Sequence, residues 1–413
     1  MPKPKTLVPA LLLMLTAATL FSAEIYVVNS ASRTLSRVDT DSGSVNNSFA
    51  QLGLSPNLMD LDAQHIYVVC SGDNAIQVLD RASGAHLRYI PVAASSNPYD
   101  VLKVGEYLYV TGLFTDKVYK LSLQTNAMVA SVPVGVAPQG LCSDGSRLYV
   151  CNTGGYQNNY ANSSVSVIDL ASFSVAATLP TWTNPQYAEL RNGYLHVSCT
   201  GNWTDVAGKL DIIDLDSLEL AQRLDVGGNP GSLWISAQGT GYIGEGFGTV
   251  LYSYNADTHS LEHGAADPLV YEASMVSGNS NLIALLKQNW DSNSLVRTYS
   301  HDFSLLDLYE VGLSSSDMVV APEATAAGED LPPSPQTGVW PNPLRRGSVL
   351  NLKREGTEAA EFCLYNVKGQ ALRRLKLAPR EKTVDLQGLP AGVYLWALRS
   401  ADSAGRGKLL ISD

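Results

Sequence analysis

The clearest chemical signal in this chain of 413 residues is aromatic. Trp, Tyr and Asn gather in two segments, residues 152–162 and 200–205, whose Gly and Asn content is typical of loops. Flat rings beside amide groups offer apolar contact together with hydrogen bonds, which suits the binding of sugars or peptides. For any single ring, packing inside the fold is the alternative role, so the cluster is stronger evidence than its members. The candidate ligand-binding residues are Phe114, Tyr156, Tyr160, Trp182, Tyr187, Trp203, Phe247 and Trp290.

Patterns for catalysis or metal binding are weaker. His259 and His263, four residues apart, would share a metal ion on a helix, but the surrounding sequence predicts a strand, a turn and a second strand. Five carboxylates would lie near the same face of the fold as the aromatic residues, but no spacing singles them out: Asp73, Asp116, Glu189, Asp205 and Glu245. The five cysteines are scattered, which favours small buried thiols over a disulfide framework. We expect no cofactor, no metal site and no catalytic residue.

The elements that must position these residues recur with a period of about 41 to 47 residues. Strand-like runs such as Ile66–Cys70 and Leu148–Asn152 appear seven times, and each is followed by a strand that ends in Asp or a substitute. Four of the runs follow a proline by ten residues: Pro56, Pro98, Pro138 and Pro185. Four short strands in each repeat predict an all-β fold, a seven-bladed β-propeller.

The two ends of the repeat array complement each other. The first repeat starts at its second strand, whereas the array ends with a lone first strand, Asp317–Val320. Pairing these ends would close the ring and leave no exposed sheet edge. In a closed propeller, the loops from fourth to first strands and from second to third strands gather on one face. The eight aromatic residues map to those loops, so we expect the binding surface there.

The repeat resembles a family of bacterial propellers named for the run Tyr-Val-Thr-Asn. The matching runs are Tyr26–Asn29 and Tyr149–Asn152, inside a frame that opens at a proline and ends at an aspartate. The resemblance implies a propeller over residues 24–321. It says little about chemistry, because the propeller scaffold carries binding modules, lactonases, lyases and dehydrogenase subunits.

Residues 1–23 have the pattern of a secretory signal peptide. Lys3 and Lys5 precede an apolar run from Leu7 to Phe21, and we expect cleavage after Ala23. The alternative is a membrane anchor, which normally needs about 20 apolar residues. We therefore expect the mature protein to leave the cytoplasm without a transmembrane segment.

The chain changes character after the repeats. Residues 322–338 contain four prolines and almost no apolar side chain, which predicts an extended linker. Residues 339–413 alternate apolar and polar side chains between turns, which predicts a small Ig-like β-sandwich. They carry 13 Lys and Arg against 7 Asp and Glu, whereas the rest of the chain carries 15 against 32. So acidic a main body argues against nucleic acid or an anionic membrane as a partner.

The C-terminal residues resemble a narrower group, the C-terminal sorting domain of the type IX secretion system. The matching pieces follow the family's order: Trp340–Pro343, Leu364–Gln370, Asp385–Tyr394 and Lys408–Ile411. Within them the sorting motif positions are Pro341, Asn342, Pro343, Gly369, Gly392 and Tyr394. The resemblance implies that the machinery of a Gram-negative bacterium exports the protein through the periplasm to the outside.

Three classes of function stay open on this evidence. The first, which the aromatic loops favour, is a secreted or cell-surface binding module for an extracellular glycan or peptide. The second is a lactonase-like or lyase-like enzyme with its site at the channel mouth. The third is a structural component of the surface layer.

Overall fold

The computed structural model describes residues 23–321, 338–340, 342, 344–353, 360–366, 371–400 and 404–412. It divides into two compact units, of which the first ends at residue 324 and the second begins at residue 325. Nearly all of the predicted signal peptide and linker lies outside the described residues, as do Pro341, Pro343 and Gly369. Within the described ranges, no helix has the length and apolar character needed to cross a membrane.

The first unit consists of seven antiparallel sheets of four strands, the blades of a propeller. We number the blades from the N-terminus, and in each blade the strands run outward from the first to the fourth. The first strands of blades 2 to 7 and of blade 1 are Pro56–Leu61, Pro98–Val104, Pro138–Ser143, Pro185–Arg191, Pro230–Ile235, Met275–Gly278 and Ser315–Val320. The second strands of blades 1 to 7 are Glu24–Asn29, His65–Cys70, Tyr107–Gly112, Arg147–Asn152, Tyr194–Cys199, Thr240–Glu245 and Ile283–Lys287.

The outer half of each blade completes the sheet. The third strands of blades 1 to 7 are Thr34–Asp39, Ala75–Asp80, Lys117–Ser122, Ser164–Asp169, Lys209–Asp214, Leu251–Asn255 and Asn293–Tyr299. The fourth strands are Ser44–Gln51, His86–Pro91, Ala127–Pro133, Ser174–Pro180, Glu219–Leu224, Ser260–His263 and Leu305–Leu313. Two short 3-10 helices, Ser71–Asp73 and Tyr156–Asn158, lie between the second and third strands of blades 2 and 4.

Blade 1 is built from both ends of the array, which confirms the predicted closure. Its first strand pairs with the N-terminal strand, with Ile25 opposite Val320 and Val28 opposite Asp317. The first strands of neighbouring blades contact one another in ring order, including those of blades 1 and 2. The ring is therefore closed by sheet hydrogen bonds between its two ends.

Burial explains the strand pattern of the repeat. Second strands such as Ile66–Cys70 are buried throughout, because a neighbouring blade packs on each face. The clusters between blades are apolar: Tyr67 and Val69 of blade 2, for example, pack with Leu108 and Val110 of blade 3. Outer strands are largely exposed even where their residues are apolar, so burial decreases outward from the second strand.

The aspartate that ends most third strands forms a turn. The Asp39 carboxylate accepts the backbone N–H groups of Asp41 and Ser42 at 3.0 and 3.2 Å, and Asp80, Asp169 and Asp214 accept equivalent bonds. Asn255 does the same in blade 6. Because a short acceptor side chain of this kind pre-forms the turn to the fourth strand, these aspartates have a structural role.

The second unit contains a three-stranded and a five-stranded sheet around one core. The smaller sheet is formed by Gly338–Trp340, Val349–Lys353 and Thr383–Asp385. The larger has the order Leu344–Arg345, Ala404–Ser412, Gly392–Ser400, Ala360–Tyr365 and Ala371–Leu377. Leu350 and Leu352 from one sheet share the core with Phe362 and Trp396 from the other. The all-β architecture is confirmed, and the Ig-like assignment stays a prediction.

Candidate ligand-binding face

Six of the eight predicted aromatic residues lie on loops between second and third strands. They come from five consecutive blades, 3 to 7: Phe114, Tyr156, Tyr160, Trp203, Phe247 and Trp290. Phe114, Tyr156 and Trp290 are 72 to 77% exposed, and Phe247 is 60% exposed. The corresponding loops of blades 1 and 2 carry no aromatic residue. Since these loops share one end of the propeller, exposed rings concentrate on one part of one face.

Four of these rings form a continuous series across blades 4, 5 and 6, which we call the aromatic strip: Tyr156, Tyr160, Trp203 and Phe247. The ring centroids of Tyr156 and Tyr160 are 6.1 Å apart, and those of Trp203 and Phe247 are 5.6 Å apart, both edge to face. Burial raises the pKa of the Tyr160 hydroxyl and the neighbouring Trp203 side chain opposes that rise, so the two pairs lie side by side. The strip therefore extends over the loops of three blades.

Hydrogen bonds fix the loops that carry the strip. The Asn202 side chain accepts the N–H groups of Thr204, Asp205 and Val206, and its amide donates to Asn159 of blade 4 at 3.4 Å. These bonds tie the loops of blades 4 and 5 to each other. Because the loops are held before any ligand arrives, binding would cost little ordering entropy.

Two charged side chains hold the loop of blade 6 in place through hydrogen bonds. Buried Glu245 accepts the N–H groups of Phe247 and Thr249. The Lys287 ammonium group donates to the carbonyl oxygen atoms of Phe247 and Gly248, at 3.3 and 2.9 Å. A Cβ atom at Gly246 would lie 2.7 Å from the Trp203 ring, so the strip packs directly on the backbone here.

The backbone beneath the strip is strained. Tyr160 and Trp203 have φ angles of 58° and 66°, and Asn159 has a φ of 49°. Asn tolerates this left-handed region, whereas bulky aromatic residues adopt it rarely and at a cost of about 1–3 kcal/mol. Strain of this kind concentrates at ligand-contacting sites, because the surrounding structure must hold it in place.

Trp182 lies apart from the strip and packs against blade 5. Its indole N–H donates to the carbonyl oxygen of Ala207 at 2.9 Å, and its backbone N–H donates to the buried Asp211 carboxylate at 2.7 Å. The Lys209 ammonium group lies 4.2 Å from its ring centroid and the Arg223 guanidinium 5.2 Å. Arg223 also pairs with Asp211 through two bonds of 2.6 and 2.8 Å. Trp182 therefore helps to join blades 4 and 5.

Tyr187 corrects the sequence-based mapping. It was expected on a loop, but the first strand of blade 5 begins at Pro185 and Tyr187 is its third residue. Its ring packs between blades 5 and 6. Burial raises the pKa of its hydroxyl well above the ordinary value, and the nearby Tyr99 and Asp317 add to this effect. Tyr187 thus belongs to the central channel.

The channel contains three carboxyl groups that sequence reasoning did not single out, which we call the carboxyl clasps: Asp317, Asp60 and Asp100. Each lies in a first strand and accepts the N–H of the residue after it. Its second oxygen accepts an N–H from the first strand of the following blade: Met59 at 2.8 Å, Lys103 at 2.7 Å and Leu141 at 2.9 Å respectively. The clasps link blades 1, 2, 3 and 4 where first strands have no further sheet partner.

On the other side of the propeller ring, serine hydroxyl groups accept the N–H groups that link neighbouring first strands. Ser232 of blade 6 accepts the Val276 N–H at 2.9 Å, and Ser277 of blade 7 accepts the Val320 N–H at 3.1 Å. Most of these five side chains, the three clasps and the two serines, lie two residues after the start of a first strand. This spacing is visible in the sequence, but it could not be interpreted without knowing which N–H groups face the channel.

Burial changes the acidity of the clasps. They touch the channel lumen but are enclosed by neighbouring blades, and this desolvation raises the pKa of Asp60 to about 6 and that of Asp317 to about 7. The pKa of Asp100 is raised well above its ordinary value by burial, and repulsion from Asp317 adds to it. A raised carboxyl pKa in a channel is a common sign of an active site. Here both oxygen atoms of each group already bind backbone N–H groups.

Glu189 differs from the clasps. Among the described acids of the first strands, it alone accepts no hydrogen bond, and burial raises its pKa to about 7. It lies opposite His196 in the sheet of blade 5. His196 is fully buried, its Nδ1 atom lies 3.1 Å from the Tyr254 hydroxyl, and burial lowers its pKa to about 3. Both side chains are therefore uncharged at mildly acidic pH.

The cysteine thiols suit a structural role. All five cysteines are free, and burial raises the pKa of the Cys70 thiol to about 11 and those of Cys142, Cys151 and Cys199 still further. Thiols that stay protonated are poor nucleophiles. Among the residues that the structure describes, no three His, Cys, Asp or Glu side chains converge as metal ligands.

Comparison with known proteins identifies the second unit. Residues 338–412 match the family model described as the secretion system C-terminal sorting domain. The second unit is a type IX sorting domain. Within the sorting domain, Asn342 accepts the N–H of Leu410 at 2.9 Å and the buried Tyr394 donates its hydroxyl to Pro390 at 2.7 Å. The domain implies an interaction with the secretion machinery and export to the cell surface or beyond.

Comparison of structures concerns the propeller. A chain of hydrazine synthase from Kuenenia stuttgartiensis is similar at 14% identity and a TM-score of 0.53, over 63% of this chain and 88% of that one. At this identity the likeness shows the propeller-like fold alone. A computationally designed protein, Ika8, is similar at 12% identity and a TM-score of 0.48, over 86% of this chain and 96% of that one. No curated protein sequence matches the chain.

Proposed function

We propose that this protein is an exported binding module that recognises an extracellular glycan or peptide through its aromatic strip. The observation that carries the proposal is the series of rings from Tyr156 to Phe247, which lies on the loops of three neighbouring blades and leaves both of these end residues largely exposed. Large rings held rigidly at a protein surface supply most of the binding energy at many interfaces.

The channel supports binding rather than catalysis. A propeller enzyme would need acids free to exchange protons with a substrate. The clasps use both oxygen atoms of each carboxyl group to hold neighbouring blades, so their raised pKa values follow from architecture. Glu189 is the exception, and no second unpartnered acid accompanies it in the first strands that the structure describes.

The proposed export route follows from the two ends of the chain. The predicted signal peptide, residues 1–23, would carry the protein into the periplasm of a Gram-negative bacterium. The sorting domain would then present the folded propeller to the type IX machinery, with residues 322–338 as the linker between the signal and its cargo. The basic character of residues 339–413 distinguishes the signal from the acidic propeller.

Removal of residues 339–413 tests the export route. We expect the truncated propeller to fold and to remain in the periplasm, because its sorting signal is gone. Immunoblots of periplasm, cell surface and medium would measure the distribution of full-length and truncated protein. Equal amounts of both proteins outside the cell would contradict the proposed route.

Glycan and peptide arrays probed with the purified full chain test the binding function. For any ligand found, Trp203→Ala and Phe247→Ala should each weaken binding about tenfold, as expected for loss of one ring contact of about 1.4 kcal/mol. Tyr89→Ala is the matched control, because Tyr89 is a 45% exposed ring on the outermost strand of blade 2. Equal losses in Tyr89→Ala and Phe247→Ala would contradict a role for the strip.

A further inference from the structure

We propose that the ligand of the aromatic strip is an uncharged linear glycan. This inference rests on the proposed binding function and names the ligand class of the same site. Three properties of the strip support it: its length across the propeller face, the absence of an available cation on its described loops, and the way its backbone groups are used.

The length of the strip favours a polymer over a small molecule. The rings run from blade 4 to blade 6, and Phe114 and Trp290 continue the series of exposed aromatic residues into blades 3 and 7. A monosaccharide would cover one ring and leave the others exposed. A chain of several sugar units could contact rings on successive blades, so affinity should increase with chain length.

The charges around the strip disfavour an anionic ligand. Anions are bound chiefly by Arg and Lys side chains with free donors. On the described loops of blades 4 to 6 the nearby cations are engaged, since Lys287 donates to two loop carbonyl groups and Lys209 pairs with Asp225 at 2.6 Å. Beside Trp203, the exposed Asp205 carboxylate accepts bonds from Asn202 and Thr204, which lower its pKa and keep it ionised. An anionic polysaccharide would meet repulsion here.

The use of backbone groups disfavours a peptide. Peptides commonly bind by adding a strand to an exposed sheet edge or by placing side chains in pockets. The strip lies on loops, and Asn202 and Glu245 already accept the loop N–H groups beneath Trp203 and Phe247. Ring faces and polar side chains remain available. A sugar ring offers a C–H face for the rings and hydroxyl groups that can donate to the Asp205 carboxylate.

Isothermal titration calorimetry of the full chain would test this proposal. The probes are neutral hexasaccharides of β-linked glucose, mannose and xylose, the corresponding disaccharides, and hexagalacturonate as an anionic oligosaccharide of equal length. We expect at least one neutral hexasaccharide to bind, its disaccharide to bind at least tenfold more weakly, and hexagalacturonate to bind at least tenfold more weakly than the neutral hexamer.

Variants of Tyr156 connect binding to the strip without endangering the fold, since this ring is 77% exposed. Tyr156→Ala should weaken binding of the neutral hexasaccharide about tenfold, whereas Tyr156→Phe, which keeps the ring, should change it less than twofold. Asp205→Asn should reduce the preference for the neutral hexamer over hexagalacturonate. Binding of the neutral hexamer that is unchanged in both Tyr156→Ala and Phe247→Ala would overturn the assignment to this site.

The other outcomes separate this inference from the proposed function. Stronger binding of hexagalacturonate, or of a peptide from an array, that is lost in Tyr156→Ala would overturn the uncharged-glycan class and leave the binding function intact. If no oligosaccharide and no peptide bound to a chain that melts cooperatively, both the inference and the proposed function would be wrong.

Discussion

Blades 1 to 3 and blades 4 to 6 use their reactive-looking side chains in opposite ways. In blades 1 to 3, Asp317, Asp60 and Asp100 lie in the channel and have raised pKa values. Both carboxyl oxygen atoms of each residue accept hydrogen bonds from backbone N–H groups. In blades 4 to 6, rings that would normally fill a core are held out on strained loops. In this fold an acid with a raised pKa therefore marks where neighbouring blades are joined, and the aromatic side chains held out on loops mark the proposed binding surface.

Opening the ring should have the largest effect. A chain that ends after Gly312 lacks the first strand of blade 1, so the N-terminal strand loses its partner and blade 2 loses the Asp317 clasp. We expect the whole propeller to lose its cooperative thermal transition, as followed by circular dichroism. A chain that ends after Ala321 keeps the strand and is the control. An unchanged transition in the shorter chain would mean that closure contributes little.

Removing a single clasp should lower the free energy of unfolding less than opening the ring does. It should still lower it much more than a substitution at the strip. Asp317→Ala leaves the N–H groups of Met59 and Met318 without their acceptor, at about 3 kcal/mol of unfolding free energy. Asp205→Ala, an exposed acid beside the strip, should change stability by about 0.5 kcal/mol or less. Urea unfolding of both variants measures the difference. Similar values for the two would remove the distinction between clasp and surface acid.

Trp182 and Phe247 sharpen the same contrast between two aromatic residues. Trp182 packs on blade 5 beneath two cationic side chains, so Trp182→Ala should cost about 2 kcal/mol of stability through lost packing. Phe247→Ala should cost about 0.5 kcal/mol or less, because the ring is 60% exposed. Melting temperatures and ligand affinities of both variants measure whether each ring contributes to stability or to binding. A larger stability loss for Phe247→Ala would place that ring in the core.

A further contrast concerns the dependence of stability on pH. Asp60, Asp317 and Glu189 have pKa values of about 6, 7 and 7 in the folded chain, above their ordinary values near 4. The folded state thus binds their protons more tightly, and the free energy of unfolding should fall as pH rises from about 4 to 7. Exposed turn acids such as Asp80 have lowered pKa values, so their effect on stability appears at lower pH than this range.

Urea unfolding at pH 5 and pH 7.5 measures that dependence. The Asp60→Asn variant, which cannot ionise there, should show a smaller decrease than the unmodified chain. A free energy of unfolding that increases between the two pH values would show that hydrogen bonds to the ionised clasps outweigh their desolvation.

The ring of blades could be predicted because the strand pattern of each blade depends on residues that are close together in the sequence. Short apolar runs such as Tyr67–Cys70, repeated at a fixed period between turns, favour strands buried on both faces, and the lone strand at Asp317–Val320 had one free partner. The sorting domain was predictable because its motifs are compact. Tyr187 was wrongly mapped to a loop, because a proline that begins a strand and one that ends a loop look alike in sequence.

The aromatic strip could be predicted only as a set of loop residues. The contact between Trp203 and Phe247 depends on the left-handed backbone at Trp203 and on Gly246, which lets the ring approach the neighbouring blade. Neither condition has a local sequence pattern. The clasps escaped prediction for a related reason, since their partners lie about 40 residues away, or about 260 for Asp317, in the next blade.

The way blade 1 is shared between the two ends also sets the order of events in folding. Ile25 finds its partner at Val320, and contacts so distant along the chain form slowly. A chain that emerges from its N-terminus exposes the unpaired edge of Glu24–Asn29 until almost the whole propeller has followed. Unpaired edges of this kind are where folding chains aggregate. The risk ends only when the six residues Ser315–Val320 pair with that edge.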